Sequence, residues 1–232
     1  MNYIILRLEG PIQSWGEKSF WDERDTSSMP TKSAVIGMIA GCMGLSRDSD
    51  KIQELYDKTT FSVRLDDPGQ ILRDYQTIEN TKKADGPINK NMVVSPRYYL
   101  VDASFLVALG VKSQSFLQEI ATALKNPHWP PYLGRKCCIP SFPVYVDAIE
   151  KDNPIDALWN KNYPIRSYTK PSQTIELNVE GLESTSRPYR KRDVYGRTRF
   201  FKYRFVHGVF KESQDFPKQN IIEEFKNESL TH

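Results

Sequence analysis

Between Ala34 and Leu45 the chain reads AVIGMIAGCMGL, apolar on almost every side of a helix, and such a segment has to be covered over most of its surface. It is too short to cross a bilayer, so the cover has to be protein. Gly37, Gly41 and Gly44 fall at spacings that put small residues on one side. The pattern predicts a helix pressed tightly on a sheet, close packing compensating the roughly 1 kcal/mol that each interior glycine costs relative to alanine. The sheet begins upstream, where Tyr3 to Leu8 reads as a buried strand running into Gly10-Pro11-Ile12-Gln13-Ser14-Trp15-Gly16. Two glycines and a proline impose a fixed turn there beside an aromatic. After a charged loop, Pro30-Thr31-Lys32-Ser33 opens the helix. Free backbone N–H groups and the helix dipole favour an anion at such a start, which makes it a place to hold phosphate.

The remaining elements extend this beginning into a fold. Lys51 to Lys58 adds a short helix, Phe61 to Leu65 a second strand and Ala103 to Gly110 a third. Ser113 to Lys125 puts Phe116, Leu117, Ile120, Ala121 and Leu124 on one helical face and stops before Asn126-Pro127. Phe142 to Ile149 closes the series with alternating Val144, Val146 and Ala148. Strand, helix, strand, strand, helix, strand is an α+β order, the ferredoxin-like split βαβ arrangement shared by RNA-recognition domains. Many unrelated functions use it, so the order alone does not establish RNA binding.

Between the second and third strands lie about thirty residues, where a hairpin needs two to five. The polar stretch from Thr77 to Pro96 carries Lys82, Lys83 and Lys90 around Asp85-Gly86-Pro87. It reads either as a disordered insertion or as a protruding basic hairpin that grips a partner. After Ile149 the chain turns polar and is punctuated by Pro154, Pro164 and Pro171. Alternation resumes at Thr174 to Val179 and at Arg199 to Phe210, where Phe201, Tyr203 and Phe205 share one face and Lys202 and Arg204 the other. The division expected is a ferredoxin-like domain over residues 1–149, with its hairpin at about 77–96, and a small C-terminal β-rich region with a tail over 150–232.

The net charge of +3 says little about partners, but its distribution says more. From Arg187 to Arg204 there are eight Lys or Arg against Asp193 alone, a local excess of seven that leaves the rest of the chain near −4. Such asymmetry suits a polyanion-binding surface, and equally a solvated strand edge. Cys42 and the vicinal Cys137-Cys138 make neither a disulfide framework nor a zinc spacing. No cofactor or metal is expected, and a reducing cytoplasm is the simplest home. The N-terminal apolar run, interrupted by Arg7 and Glu9, is too short and too charged for a signal peptide. No membrane partner is expected.

Several blocks together resemble one known family. They are Leu6-Arg7-Leu8 with Gly10-Pro11 and Gln13-Ser14-Trp15-Gly16, then Pro30-Thr31-Lys32-Ser33 before the Gly-rich helix, Arg73-Asp74-Tyr75, Asp102-Ala103-Ser104-Phe105, and Pro131-Tyr132-Leu133-Gly134-Arg135. In this order, from residue 3 to about 140, they resemble the CasD family, the subunits that hold the 5′ handle of the guide RNA in type I-E CRISPR Cascade complexes. The resemblance thins after residue 150. It implies a ferredoxin-like domain of the RAMP superfamily, with a thumb-like hairpin falling on Thr77 to Pro96 that presses on the guide. It also implies a noncatalytic subunit whose partners are the crRNA 5′ handle, the backbone-forming and large Cascade subunits and, through the complex, target DNA. Relatives often carry arginine where this chain has Lys32, which keeps the charge but loses a bidentate fork.

A single-stranded RNA end needs cations along its phosphates and flat side chains or pockets for its bases. Arg24, Lys32 and Ser33 are the phosphate candidates near the first helix, with Gln13 and Trp15 close in sequence for a base. Trp15 reads equally as a core anchor, and Arg24 stands among Asp22, Glu23 and Asp25, where an ion pair competes. Lys32 opposes the dipole at a helix start, which favours a functional role. Arg135 and Lys136 follow a rigid Pro-Pro approach that aims both at one phosphate run or simply makes a surface turn. Lys82, Lys83 and Lys90 would serve the hairpin, and Arg190 and Arg192 the basic segment. The competing reading is a metal-independent endoribonuclease processing repeat RNA, because type I-C relatives of the resembling family use Tyr, His and Lys side chains. Tyr203, His207 and Lys202 are the trio that could supply them.

Overall fold

The structure, a computed structural model, describes residues 1–17, 23–82, 85–89, 91–169, 171–180, 189–195 and 200–224, with the backbone alone over 189–195 and 200–203. The chain opens with strands β1 (Asn2–Glu9) and β2 (Ile12–Gln13) and helices α1 (Lys32–Cys42) and α2 (Asp50–Asp57). Strands β3 (Thr59–Asp67), β4 (Gln70–Asp74), β5 (Thr77–Ile78), β6 (Val93–Val94), β7 (Arg97–Val101) and β8 (Ser104–Val111) follow. Helix α3 (Gln114–Lys125), strand β9 (Tyr145–Glu150) and helix α4 (Pro154–Leu158) lead to β10 (Ile165–Ser167), β11 (Thr174–Glu180), β12 (Tyr189–Tyr195), β13 (Phe200–Glu212) and β14 (Lys218–Asn220).

Alternation along the central strands builds two cores at once, because successive side chains point to opposite faces. On one face Ile4, Leu6 and Leu8 of β1, Phe61 and Val63 of β3 and Phe105, Val107 and Leu109 of β8 pack under α1 and α3. On the other, Tyr3, Ile5, Leu106 and Ala108 meet Leu158, Tyr163, Ile165, Leu177 and Phe216. The result is a mixed α/β architecture with few helices around an antiparallel seven-stranded sheet, ordered β12-β13-β11-β3-β8-β1-β9. The six elements read from the sequence are β1, α1, β3, β8, α3 and β9, in that order.

The composition change at residue 150 marks a change in cover rather than a break in the sheet. β11 pairs with β3 and carries the sheet on through β13 and β12, while α4, β10 and Phe216 cover the second face. An RNA-recognition domain leaves such a face open for bases. Here it is filled with apolar side chains, so any RNA surface has to lie elsewhere.

Helix α1 packs differently from the glycine-stripe expectation. Val35, Ile36, Met38, Ile39, Ala40 and Cys42 are buried, whereas Gly37 is exposed and a methyl added at Gly37 or Gly41 would meet nothing within 4 Å. Large side chains therefore make the contact, and the glycines lie off it. The helix ends three residues before Leu45, with Gly44 at φ +70°. The Gly44 N–H donates to Gly41 O and the Leu45 N–H to Ala40 O, the paired closure that a left-handed residue after a helix permits.

Between β3 and β8 the chain forms an ordered hairpin, longer than the 77–96 expected. β4 pairs with β7 and β5 with β6, while β2 joins β7 to make a three-stranded sheet apart from the main one. Its described surface also exposes apolar side chains, Ile71 (71 %), Tyr75, Ile88 and Met92 (62 %).

Beneath the second face, beyond its apolar part, lies a layer of buried charge. Arg7 and Arg64 flank Leu106 from the two neighbouring strands and share the Asp66 carboxylate, with nitrogen–oxygen distances of 2.8 and 2.9 Å. Arg64 also donates to the carbonyls of Leu158, Tyr163 and Pro164, and the Arg166 guanidinium binds Glu9 at 2.9 Å and Glu224. Asp67 accepts from the Ser167 hydroxyl and the Tyr168 N–H. Burial pulls the Arg7 guanidinium below its ordinary value, against the opposing pull of Asp66 and Glu9. The charges that interrupt the first strand in sequence thus bond the covering segment at Pro164 and Arg166.

Candidate nucleic-acid interface

The start of α1 opens into a cleft of about 530 Å³ lined by Ser14, Gly16, Arg24, Thr31, Ser33, Ala34, Arg97, Gly134 and Arg135. Thr31 caps the helix, its hydroxyl accepting from the Ala34 N–H, so one of the first-turn donors is satisfied and the remainder face outward. Three arginines converge there from separate stretches. None of the lining residues is acidic.

Each arginine is positioned by backbone rather than by a carboxylate. Arg24 forms a bridge to Arg97 on β7, its N–H donating to Pro96 O at 3.0 Å and its carbonyl accepting from the Tyr98 N–H at 2.9 Å. Arg135 follows Gly134, which has φ +88°; a methyl at Gly134 would come within 1.7 Å of Ser14 O, so only glycine lets this turn approach. The turn is closed by Leu133 N–H to Cys138 O and Cys138 N–H to Arg135 O. The Arg135 guanidinium lies over the Tyr99 ring at 4.7 Å and donates through Nη2 to the carbonyls of Arg24 and Asp25. Its Nη1, and Nε of Arg97, are buried and have no hydrogen-bond partner among the described residues. Among the described residues none of the three arginines makes an ion pair. Positive charge and a helix start in one cleft suit an anion with several acceptor oxygens.

Of the residues expected at the RNA, the structure brings Arg24, Ser33 and Arg135 together here, and Lys136 is an exposed neighbour in sequence. Three others are corrections. Trp15 is fully buried and its indole N–H donates to Gln13 Oε1 at 3.1 Å. The Gln13 amide is held by the carbonyls of Leu8 and Ala103, so the pair pins β2 to the core and presents no face to a base. Lys32, 3 % exposed, runs away from the cleft to Thr59 O at 2.6 Å and to Glu180, over the Tyr56 ring. A half-buried carboxylate and an aromatic face compensate its unfavourable place at the helix start. Sequence reasoning missed Arg97, which stood just past the polar insertion with no motif to mark it.

Lys82 is exposed on the hairpin, bridged to Ile88; Lys83 and Lys90 lie outside the described residues. Arg190 and Arg192 stand on β12 opposite Phe205 and Tyr203, and their side chains also lie outside the described residues. In the nuclease trio, His207 is buried, and the side chains of Lys202 and Tyr203 lie outside the described residues. Cys42 and Cys138 are buried, and burial pushes the Cys138 thiol up to about 12; Cys137 is exposed. No helix among the described residues is long and apolar enough to cross a membrane.

A family model described as CRISPR-associated protein (Cas_Cas5) matches residues 3–210. The chain belongs to this CRISPR-associated family. It is 33 % identical over 171 residues to the CRISPR system Cascade subunit CasD of Escherichia coli (strain K12), covering 68 % of this chain and 76 % of that protein. Among solved structures, a chain of a CRISPR RNA-guided surveillance complex superposes with a TM-score of 0.78 at 30 % identity, over 99 % of this chain and 98 % of that one. A second, described as a crystal structure of a Cas protein, gives 0.68 at 30 % identity, over 94 % and 98 %. The Cas5-family match runs well past residue 150, where the sequence blocks had faded.

Proposed function

We propose that this protein is a noncatalytic subunit of a type I-E Cascade complex that holds the 5′ handle of the guide RNA, with a ferredoxin-like RAMP core as scaffold. The observation that carries the reading is the cleft of Arg24, Arg97 and Arg135 at the start of α1, which offers cationic donors without competing acid. Likeness to CasD and to a chain of an RNA-guided surveillance complex supplies the ligand class. Because apolar side chains fill both faces of the central sheet, the cleft at its edge is the better candidate for the RNA backbone. The exposed apolar hairpin suits a neighbouring protein subunit, and the backbone-forming and large Cascade subunits are the partners proposed. The cytoplasm, where guide and target meet, is the proposed location.

Co-expression with the other Cascade subunits and a CRISPR array tests this. The chain should copurify with repeat-derived RNA, and a variant carrying Arg24→Gln, Arg97→Gln and Arg135→Gln should lose most of it while remaining folded. Full retention of guide by that variant would refute the cleft as the handle site.

A further inference from the structure

The turn that carries Arg135 into the cleft also holds two adjacent thiols. Cys137 is exposed and Cys138 is packed in the main core, with their sulfurs 4.0 Å apart. Neither thiol lines the cleft, but both are joined to Arg135, which does. The Cys138 N–H donates to Arg135 O, and the Cys137 sulfur lies 3.8 Å from the hydroxyl of Tyr99, whose ring carries the Arg135 guanidinium. Exposure gives the two sulfurs different roles toward an oxidant. A peroxide in solution meets Cys137 first, because thiol oxidation follows access and thiolate character. Burial keeps Cys138 protonated and out of reach, although the nearby charge of Arg135 pulls its thiol the other way.

We infer that Cys137 and Cys138 form a reversible oxidation site: hydrogen peroxide converts the pair into a vicinal disulfide, and the turn then no longer holds Arg135 in the cleft. The consequence for Arg135 rests on the reading that the cleft holds the guide backbone. In the first step the Cys137 sulfur attacks the peroxide O–O bond, giving a sulfenic acid and one water. The Cys138 sulfur then displaces the hydroxyl from Cys137, and its proton leaves with that oxygen as a second water. Two thiols lose two electrons and the peroxide gains them. Cα atoms adjacent across a trans peptide stand about 3.8 Å apart, short of the roughly 4.4–6.8 Å that a relaxed disulfide spans. The turn must therefore distort, and Cys138 is fixed by the core. Gly134 is seated against Ser14 O, so the turn yields between these two points, at Arg135. A strained disulfide is readily reduced, so the change reverses once the oxidant is gone, in keeping with the transient, redox-sensing disulfides of a reducing compartment.

Mass spectrometry and RNA binding on the full chain test this together. After hydrogen peroxide the chain should lose about 2 Da, mapped by peptides to Cys137–Cys138 and restored by dithiothreitol. The oxidised chain should bind a short single-stranded RNA more weakly, with its salt slope reduced by about 0.7, and should recover both on reduction. Cys137→Ser should bind the RNA as the wild-type chain does and keep its slope through peroxide. A gain of about 32 Da at Cys137 in place of the disulfide would overturn the inference. So would a disulfide that leaves the salt slope unchanged in a chain whose triple glutamine variant has lost the RNA. If instead that triple variant binds RNA as tightly as the wild-type chain, the reading of the cleft falls and the effect of oxidation on the guide falls with it.

Discussion

Two sets of three arginines divide this molecule. Arg7, Arg64 and Arg166 are buried, and each meets a carboxylate: Asp66 for the first two, Glu9 and Glu224 for the third. Arg24, Arg97 and Arg135 line an open cleft with no acidic residue in its wall. The side chains are chemically identical, so the difference lies in what the fold puts beside them. An arginine with a buried carboxylate is committed to structure, because separating the pair strands a charge in a low-dielectric interior. An arginine held only by carbonyls and an aromatic face keeps donors for a ligand.

The largest expected effect comes from breaking the buried set. Arg64→Leu leaves Asp66 with less compensation and the Leu158 and Tyr163 carbonyls without this donor, while Pro164 O keeps Arg7, and should cost about 3–5 kcal/mol in urea unfolding. A loss under about 1 kcal/mol would mean that this layer does not hold the covering segment down. Lys32→Met is the next step and the sharper one, since the sequence placed Lys32 with the binding set. It should destabilise by about 2–3 kcal/mol through its lost bonds to Thr59 O and Glu180, which keeps Arg204 and the Phe61 N–H, yet leave RNA affinity and its salt dependence unchanged for the folded fraction. A shallower salt slope in Lys32→Met would move that residue back to the RNA. Smaller again is the effect of one cleft arginine: Arg135→Gln should spare stability and reduce the salt slope for single-stranded RNA by about 0.7.

How far the sequence could be read follows from the same division. Strand and helix order was legible because alternation and helical spacing are local, and β1, α1, α2, β3, β8, α3 and β9 stand within a few residues of where pattern puts them. The helix start, capped by Thr31, was legible for the same reason. The sorting of charged residues was not. Lys32 pairs with Glu180 at a separation of 148 positions and Arg166 with Glu9 at 157, and no local pattern announces such partners. Trp15 and Gln13 stood beside a glycine turn that suits a surface as well as a core. Only the closure of β2 against Leu8 and Ala103 decides between them. Arg97 entered the cleft through pairing of β7 with the Arg24 segment, another distant contact.

The hairpin tip belongs to neither set, and removing it should have the smallest effect on the fold. β5 and β6 pair at Thr77 with Val94 and Ile78 with Val93, so replacing residues 79–92 by Asn-Gly would close the ladder with a two-residue turn suited to strand twist. The cores and the cleft have no residues in that stretch. Shortening a loop also lowers its closure entropy slightly, by about 0.6 kcal/mol for each halving. Stability should therefore change by less than about 1 kcal/mol, measured by urea unfolding, and binding of a short RNA should persist. What should be lost is copurification with the other Cascade subunits, since Ile88 and Met92 leave with the tip. Cooperative unfolding at a lower midpoint would show the tip to be part of the folded body. Undiminished assembly would show that the exposed apolar side chains of the tip serve no partner.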